Sequence, residues 1–194
     1  MMDIFTLYGG TAIALQLGHR VSVDFDFFSS SSFTADKLFS SIPFLYNSQI
    51  LRSEENTLTC RVDKDGPVNV SFFGNLSLKK IDKPFLCADN SVKVASLKDL
   101  IATKVKVIQD RASYKDYFDI YTILTQSEIT LADSLRYATI VYGNRFSPAI
   151  SLKALVYFGD KELSRLSEKE KNYLRKVVSD YEHTRNKQRG NQLS

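Results

Sequence analysis

Leu7-Tyr8-Gly9-Gly10-Thr11, followed twelve residues on by Val23-Asp24-Phe25-Asp26-Phe27-Phe28, is the stretch on which the fold of this 194-residue chain turns. An apolar run from Ile4 to Leu7 ends in two glycines. A helix-like segment follows from Thr11 to Leu17, Gly18 stops it, and a second apolar run carries two carboxylates. Two glycines let a backbone approach an anion closely, because no Cβ stands in the way. A helix opening at Thr11 turns its free N–H groups and positive dipole end toward the same anion. On a strand, Asp24 and Asp26 project from one face, while Val23, Phe25 and Phe27 project from the other and are predicted to be core. Two carboxylates side by side repel unless a cation lies between them, and oxygen ligands suit Mg²⁺. Strand, Gly-Gly, helix and Asp-x-Asp strand together form a layout suited to phosphate and metal chemistry.

Working outward, Ser29 to Ser32 reads as a polar turn, and Thr34 opens a short helix with Leu38 and Phe39 on its apolar side. Strands are predicted over Ser48–Leu51, Thr57–Val62, Val68–Phe73 and Val92–Ala95. Lys64-Asp65-Gly66 is a hairpin signal. Pro67 and Pro84 sit at strand edges, where a missing N–H is tolerated. The second half of the chain changes to helical period. Ser96 and Asp99 have capping-box spacing, and Leu97, Leu100, Ile101, Val105 and Ile108 form a core stripe. Lys104 falls on the same side as that stripe. Either it lays its methylenes on the core and snorkels, or it points into a cleft toward a phosphate. Arg111 follows seven residues later. Asp116, Asp119, Ile120 and Ile123 share a face of the next helix, an arrangement that also fits a rim ion pair with Arg111 or Lys115. Ser167 and Glu170 form a second capping box, ahead of a stripe of Tyr173, Leu174, Val177 and Tyr181. The chain from His183 onward contains no acid and reads as a frayed basic end.

Composition narrows the function classes. Hydrophobic residues make up 43% of the chain, enough for a real core. Lys161 to Ser194 holds nine Lys or Arg against five Asp or Glu, which accounts for the whole formal charge of +4. Solvated helix charge explains such a tail as readily as nucleic-acid binding. Cys60 and Cys87 lie in apolar runs without a CxxC or His cluster and read as buried thiols, not as a zinc site. His19 and His183 are the only histidines. No Ser or Cys partner supports a histidine-activated nucleophile, and His19 reads as structural. No signal peptide precedes the first strand and no apolar run reaches membrane length, which predicts a cytoplasmic protein without a membrane anchor.

The run from Gly9 to Phe28, Gly-Gly-Thr followed by Gly18-His19-Arg20 and then Asp-x-Asp-Phe-Phe, resembles the AbiEii/AbiGii-type nucleotidyltransferase toxins of the DNA polymerase β-like nucleotidyltransferase superfamily. A second motif, Lys104, Arg111, Asp116 and Asp119, matches in order and spacing. A third and weaker one is Leu152 to Asp160. The resemblance spans most of residues 4 to 160. It implies an α/β fold: a mixed sheet carrying Asp24 and Asp26 over residues 1–95, and a mostly helical portion over 96–194 closing a cleft over it. The implied activity moves a nucleoside monophosphate from an NTP to an acceptor hydroxyl. Asp24 and Asp26 are expected to hold Mg²⁺. Gly9, Gly10 and the Thr11 hydroxyl are expected to cradle the triphosphate, and Lys104 and Arg111 to neutralise developing charge. Asp116 is expected to orient or deprotonate the acceptor. The implied partners are an acceptor at a tRNA 3′ end and a separately encoded antitoxin.

Relatives commonly carry a third carboxylate on a later strand, where this chain has Ser71. Two alternatives stay open: a protein-modifying nucleotidyl- or phosphotransferase, which the same site would serve, and an inactive nucleotide- or RNA-binding relic, favoured by Ser71 and by the abrupt N-terminus. Family members also usually carry an additional N-terminal segment, so a truncated or late start is one reading of the abrupt beginning.

Overall fold

The computed structural model describes residues 2–87 and 92–190. The chain divides into two compact units, residues 1–100 and 101–194. The first is built on seven strands: β1 (Thr6–Tyr8), β2 (Asp24–Phe28), β3 (Gln49–Glu54), β4 (Thr57–Asp63), β5 (Pro67–Phe73), β6 (Phe85–Leu86) and β7 (Lys93–Val94). They form one mixed sheet in the order β3-β4-β5-β2-β1-β7-β6. The β2–β5 and β1–β7 pairs are parallel and the rest antiparallel. Helix α1 (Gly9–Leu17) joins β1 to β2, and α2 (Ala35–Ser41) precedes β3.

Period-two alternation sorts the sheet's two faces. Phe25 and Phe27 of β2 lie beside Val70 and Phe72 of β5, which lie beside Cys60 and Leu58 of β4. This is the core face: Phe72, Leu58 and Cys60 are fully buried, and Phe27 stacks on Phe72 at 5.2 Å. Phe5 closes on Phe72 edge-on, also at 5.2 Å. Ile13 of α1 and Leu38 of α2 are buried as well. The opposite face carries Asp24, Asp26, Asn69, Ser71, Thr59 and Arg61.

Several local expectations are corrected. Val23 precedes β2 and is largely exposed, because pairing starts only at Asp24, and Phe25 is half-buried. Cys60 is buried, but Cys87, just beyond the two-residue edge strand β6, is partly exposed. Helix α1 begins at Gly9, two residues before the predicted start, and ends as expected at Gly18, whose N–H donates to the Ala14 carbonyl at 2.8 Å. The Lys64–Gly66 turn joins β4 to β5 as its hairpin signal predicts. In the Ser96–Asp99 box the Ser96 side chain caps the helix Leu97–Val107 as expected. Asp99 N–H donates to Ser96 Oγ at 3.1 Å, while the buried Asp99 carboxylate accepts from the N–H groups of Ile81 and Asp82 at 2.8 and 3.2 Å.

The second unit is helical: the end of α3 (Leu97–Val107), α4 (Tyr114–Gln126), α5 (Leu131–Tyr142), α6 (Pro148–Val156) and α7 (Glu168–Gly190). Ile101, Val105, Ile120, Ile123, Ala138, Leu155 and Leu174 form its core. A complete capping box, Thr130 with Asp133, starts α5. In α7 the buried stripe is Leu174 and Val178, with Tyr173, Val177 and Tyr181 half-buried. From His183 to Gly190 the basic end is helical as part of α7, and the rest of it lies outside the described residues. Among the described residues no helix is long and apolar enough to cross a membrane.

Candidate active site

In the first unit the site is a set of cross-strand rows. Parallel register puts Asp24 beside Asn69 and Asp26 beside Ser71, and the antiparallel β4–β5 pairing continues these rows to Arg61 and Thr59. One row therefore reads Arg61–Asn69–Asp24 and the next Thr59–Ser71–Asp26. Asn69 Nδ2 donates to Asp24 Oδ1 at 3.0 Å, Arg61 Nε donates to Asn69 Oδ1 at 3.4 Å, and Thr59 Oγ1 donates to Ser71 Oγ at 3.3 Å. Asp24 and Asp26 are both half-buried. Ser71 thus shares a face with the two aspartates, as strand alternation predicts.

The glycine turn meets this face directly. Gly9 has φ +71°, and a methyl group there would stand 2.5 Å from Asp26 Oδ2. Only glycine lets that carboxylate lie so close to the backbone. The first N–H groups of α1 have no partner within the helix, which makes this end suited to an anion. The buried Thr11 hydroxyl, expected at the triphosphate, donates to the Asp24 carbonyl and lies 2.9 Å from Ser22 Oγ. In this conformation it ties α1 to the start of β2.

In the second unit Lys104 is enclosed. Its Nζ lies 2.7 Å from Asp116 Oδ1 and 2.8 Å from Asp119 Oδ2, and all three side chains are at most 8% exposed. Arg111 Nε donates to Asp116 Oδ2 at 2.8 Å from a side chain that is 65% exposed. The Lys104 ammonium neither snorkels to solvent nor stands open to a ligand; two carboxylates hold it. Asp116 is buried and not at a rim. Burial pushes its pKa up, but the Lys104 charge and the hydrogen bonds from Arg111 and Lys104 outweigh this and hold it below the ordinary aspartate value. Tyr117, next along α4, is pushed up to about 12 by burial and by the charges of Asp160 and Asp116. Lys106, two residues from Lys104, instead pairs with the exposed Asp110 at 2.8 Å.

Sequence reasoning passed over Arg61 and the Asp24–Asn69 contact. The alternation of Asn69, Ser71 and Phe73 along β5 was the available signal. Among the described residues no three His, Cys, Asp or Glu side chains gather as a metal cluster. Asp24 and Asp26 nevertheless fit Mg²⁺, which is usually bound through one or two carboxylates together with substrate phosphates and water.

The fold, a mixed sheet presenting two aspartates beside a glycine turn and followed by a helical half, is that of a nucleotidyltransferase. It matches the crystal structure of a protein from H. pylori, with TM-score 0.59 and 18% identity over 91% of this chain and 85% of that one. It also matches the MenT4 nucleotidyltransferase toxin of Mycobacterium tuberculosis H37Rv, with TM-score 0.53 and 13% identity over 92% and 83%. An uncharacterized protein of Aquifex aeolicus (strain VF5) is 29% identical over 192 residues, covering 91% of this chain and 87% of that protein. The family model described as nucleotidyl transferase AbiEii toxin, type IV TA system, matches residues 2–185. The chain belongs to this AbiEii nucleotidyltransferase toxin family.

Proposed function

We propose that the protein transfers a nucleoside monophosphate from an NTP to an acceptor hydroxyl with release of pyrophosphate, in a Mg²⁺-dependent reaction. The observation that carries this reading is the row geometry, with Asp24 and Asp26 on one sheet face and Asp26 against the Gly9 backbone. Asp24 and Asp26 would hold the Mg²⁺, which would supply positive charge to stabilise the leaving pyrophosphate. The backbone N–H groups at the start of α1, around Gly10 and Thr11, receive phosphate oxygens. The Thr11 hydroxyl keeps α1 and β2 in fixed register beneath them.

The resemblance supports a role for Asp116 toward the acceptor hydroxyl. A carboxylate held below its ordinary pKa is a weak base at neutral pH, which favours orientation over proton abstraction. Lys104 keeps Asp116 ionised and directed, and Arg111, the more exposed cation, neutralises developing charge. The family supports an antitoxin as partner, and the resemblance supports a tRNA 3′ end as acceptor. The test incubates the protein with each α-labelled NTP, Mg²⁺ and either total tRNA or cell-extract protein. Label on tRNA is the expected result. Label on protein would replace the acceptor, and no label with any NTP would overturn the reading.

A further inference from the structure

The row Arg61–Asn69–Asp24 has a chemistry that the transfer reaction does not by itself require. The Asn69 amide has only one orientation that suits both neighbours: the carboxylate can only accept and the guanidinium can only donate. Asn69 therefore turns Nδ2 to Asp24 and Oδ1 to Arg61, as observed. This commits lone-pair capacity on Asp24 Oδ1 to an internal bond and fixes the carboxylate's rotation. It also places a guanidinium, through one amide, in line with one of the two carboxylates. The next row offers Ser71 and Thr59, both neutral, beside Asp26. The two rows thus present two carboxylates and the Arg61 guanidinium, with Arg52 beyond Thr59 at the far end of the Asp26 row and Glu54 and Asp63 further along the same face, and among the described residues no third His, Cys, Asp or Glu gathers with the two aspartates as a metal cluster. Mg²⁺ gives up its water reluctantly, and such a site lacks the charge to draw it from solution unaided.

We propose that Arg61 and Asn69 are positioning residues for Asp24, and that with Ser71 they make the site take up its divalent cation together with the NTP and not before it. The triphosphate supplies the missing negative charge, so cation and nucleotide bind with strong positive linkage. Free cation leaves the site empty of metal at ordinary concentrations. Substitutions that raise the negative charge of the face uncouple the two. Ser71→Asp adds a carboxylate beside Asp26. Arg61→Gln removes the guanidinium and leaves a group that can still donate to Asn69 Oδ1. This inference rests on the proposed transfer reaction, but its readout is cation uptake and not turnover.

The experiment is a Mn²⁺ titration followed by electron paramagnetic resonance. It uses the intact chain alone and with each of the four α,β-methylene nucleoside triphosphates, and is repeated for Arg61→Gln, Asn69→Ala and Ser71→Asp. Thermal unfolding checks that each variant is folded. In the wild type the analogue should tighten Mn²⁺ binding by about a hundredfold or more. Ser71→Asp should bind free Mn²⁺ about tenfold or more tighter than the wild type, and Arg61→Gln should shift the same way by a smaller factor. Asn69→Ala should weaken Mn²⁺ uptake in the presence of analogue by about tenfold, the usual scale for losing a residue that orients a ligand. Asn69→Gln, which keeps the amide, should recover part of that loss, whereas a merely structural role predicts no recovery at equal stability. Tight binding of free Mn²⁺ by the wild type, unchanged by nucleotide, overturns this inference and leaves the transfer reading standing. Absence of Mn²⁺ uptake with every analogue overturns both.

Discussion

Replacing Lys104 with Met tests the most concentrated electrostatics in the chain. The substitution keeps most of the side chain's volume and removes one ammonium. That ammonium lies 2.7 and 2.8 Å from two carboxylates that are 2% and 0% exposed. Removing one member of a buried pair costs about 3–5 kcal/mol, because the charge left behind is neither solvated nor neutralised. Arg111 retains its bond to Asp116, so the lower half of that range is expected. At roughly 2–4 °C per kcal/mol for a chain of this size, the transition falls by about 6–16 °C. Lys106→Met is the control. Its partner Asp110 is 67% exposed, and such pairs are worth about 0.5 kcal/mol or less.

The loss should also depend on pH with a definite sign. In the wild type Asp116 has a lowered pKa, so its stabilisation is present above the unfolded aspartate value and is lost as pH falls through the lower folded one. Without Lys104 the leading influence on Asp116 is burial, which raises the pKa. The variant therefore loses stability as pH rises through the unfolded value, near 4, and keeps losing it up to the raised folded value. Thermal unfolding by circular dichroism between pH 4 and 8 should show a gap between wild type and variant that is narrow in acid and full at neutrality. A neutral-pH loss no larger than that of Lys106→Met, with no dependence on pH, would refute the reasoning.

Asp24→Asn and Asp26→Asn should each abolish label transfer while leaving the circular dichroism spectrum intact. Each removes a like-charge repulsion, so the melting temperature should hold or rise slightly; wild-type transfer in both would refute the metal assignment. Gly9→Ala should lose about 1–3 kcal/mol, from the strained φ and the collision with Asp26 Oδ2, and should lose transfer activity; unfolding curves and initial rates check both. Asp116→Asn should cut turnover far more than NTP affinity, since orienting an acceptor contributes little to nucleotide binding; calorimetric titration against single-turnover rates separates the two, and equal losses in both would argue against acceptor orientation.

How much of this was legible beforehand depended on distance along the chain. The Gly9-Gly10 turn, the Asp-x-Asp strand and the Lys64–Gly66 hairpin are local patterns, and local sterics decide them. The placement of Ser71 beside Asp26 was half legible, since alternation assigned the face but not the partner. The Asp24–Asn69 bond was not legible, because it joins residues 45 apart through a parallel pairing whose register nothing nearby announces. Lys104 shows another limit. Its position on the apolar stripe was plain from the helical period. That its ammonium would be held by Asp116 and Asp119 depended on how α3 and α4 pack and on side-chain direction, which spacing does not carry. Val23 and Cys87 failed for a simpler reason: apolar residues at strand ends were read as core although pairing stops short of them.

The strand order also bears on when the face carrying the two aspartates can assemble during synthesis. β1 leaves the ribosome before the other described strands, yet one of its two neighbours is β7, with Thr6 paired to Lys93. β2 likewise waits for β5 to emerge. At roughly 5–20 residues per second, some 5–20 seconds of synthesis separate the first strand from its last partner. Parallel pairings this far apart in sequence also close slowly once they can form. A nascent chain that ends before β5 therefore carries both aspartates but not Asn69, the hydrogen-bond partner of Asp24. The two rows are completed only after translation has passed well beyond both aspartates.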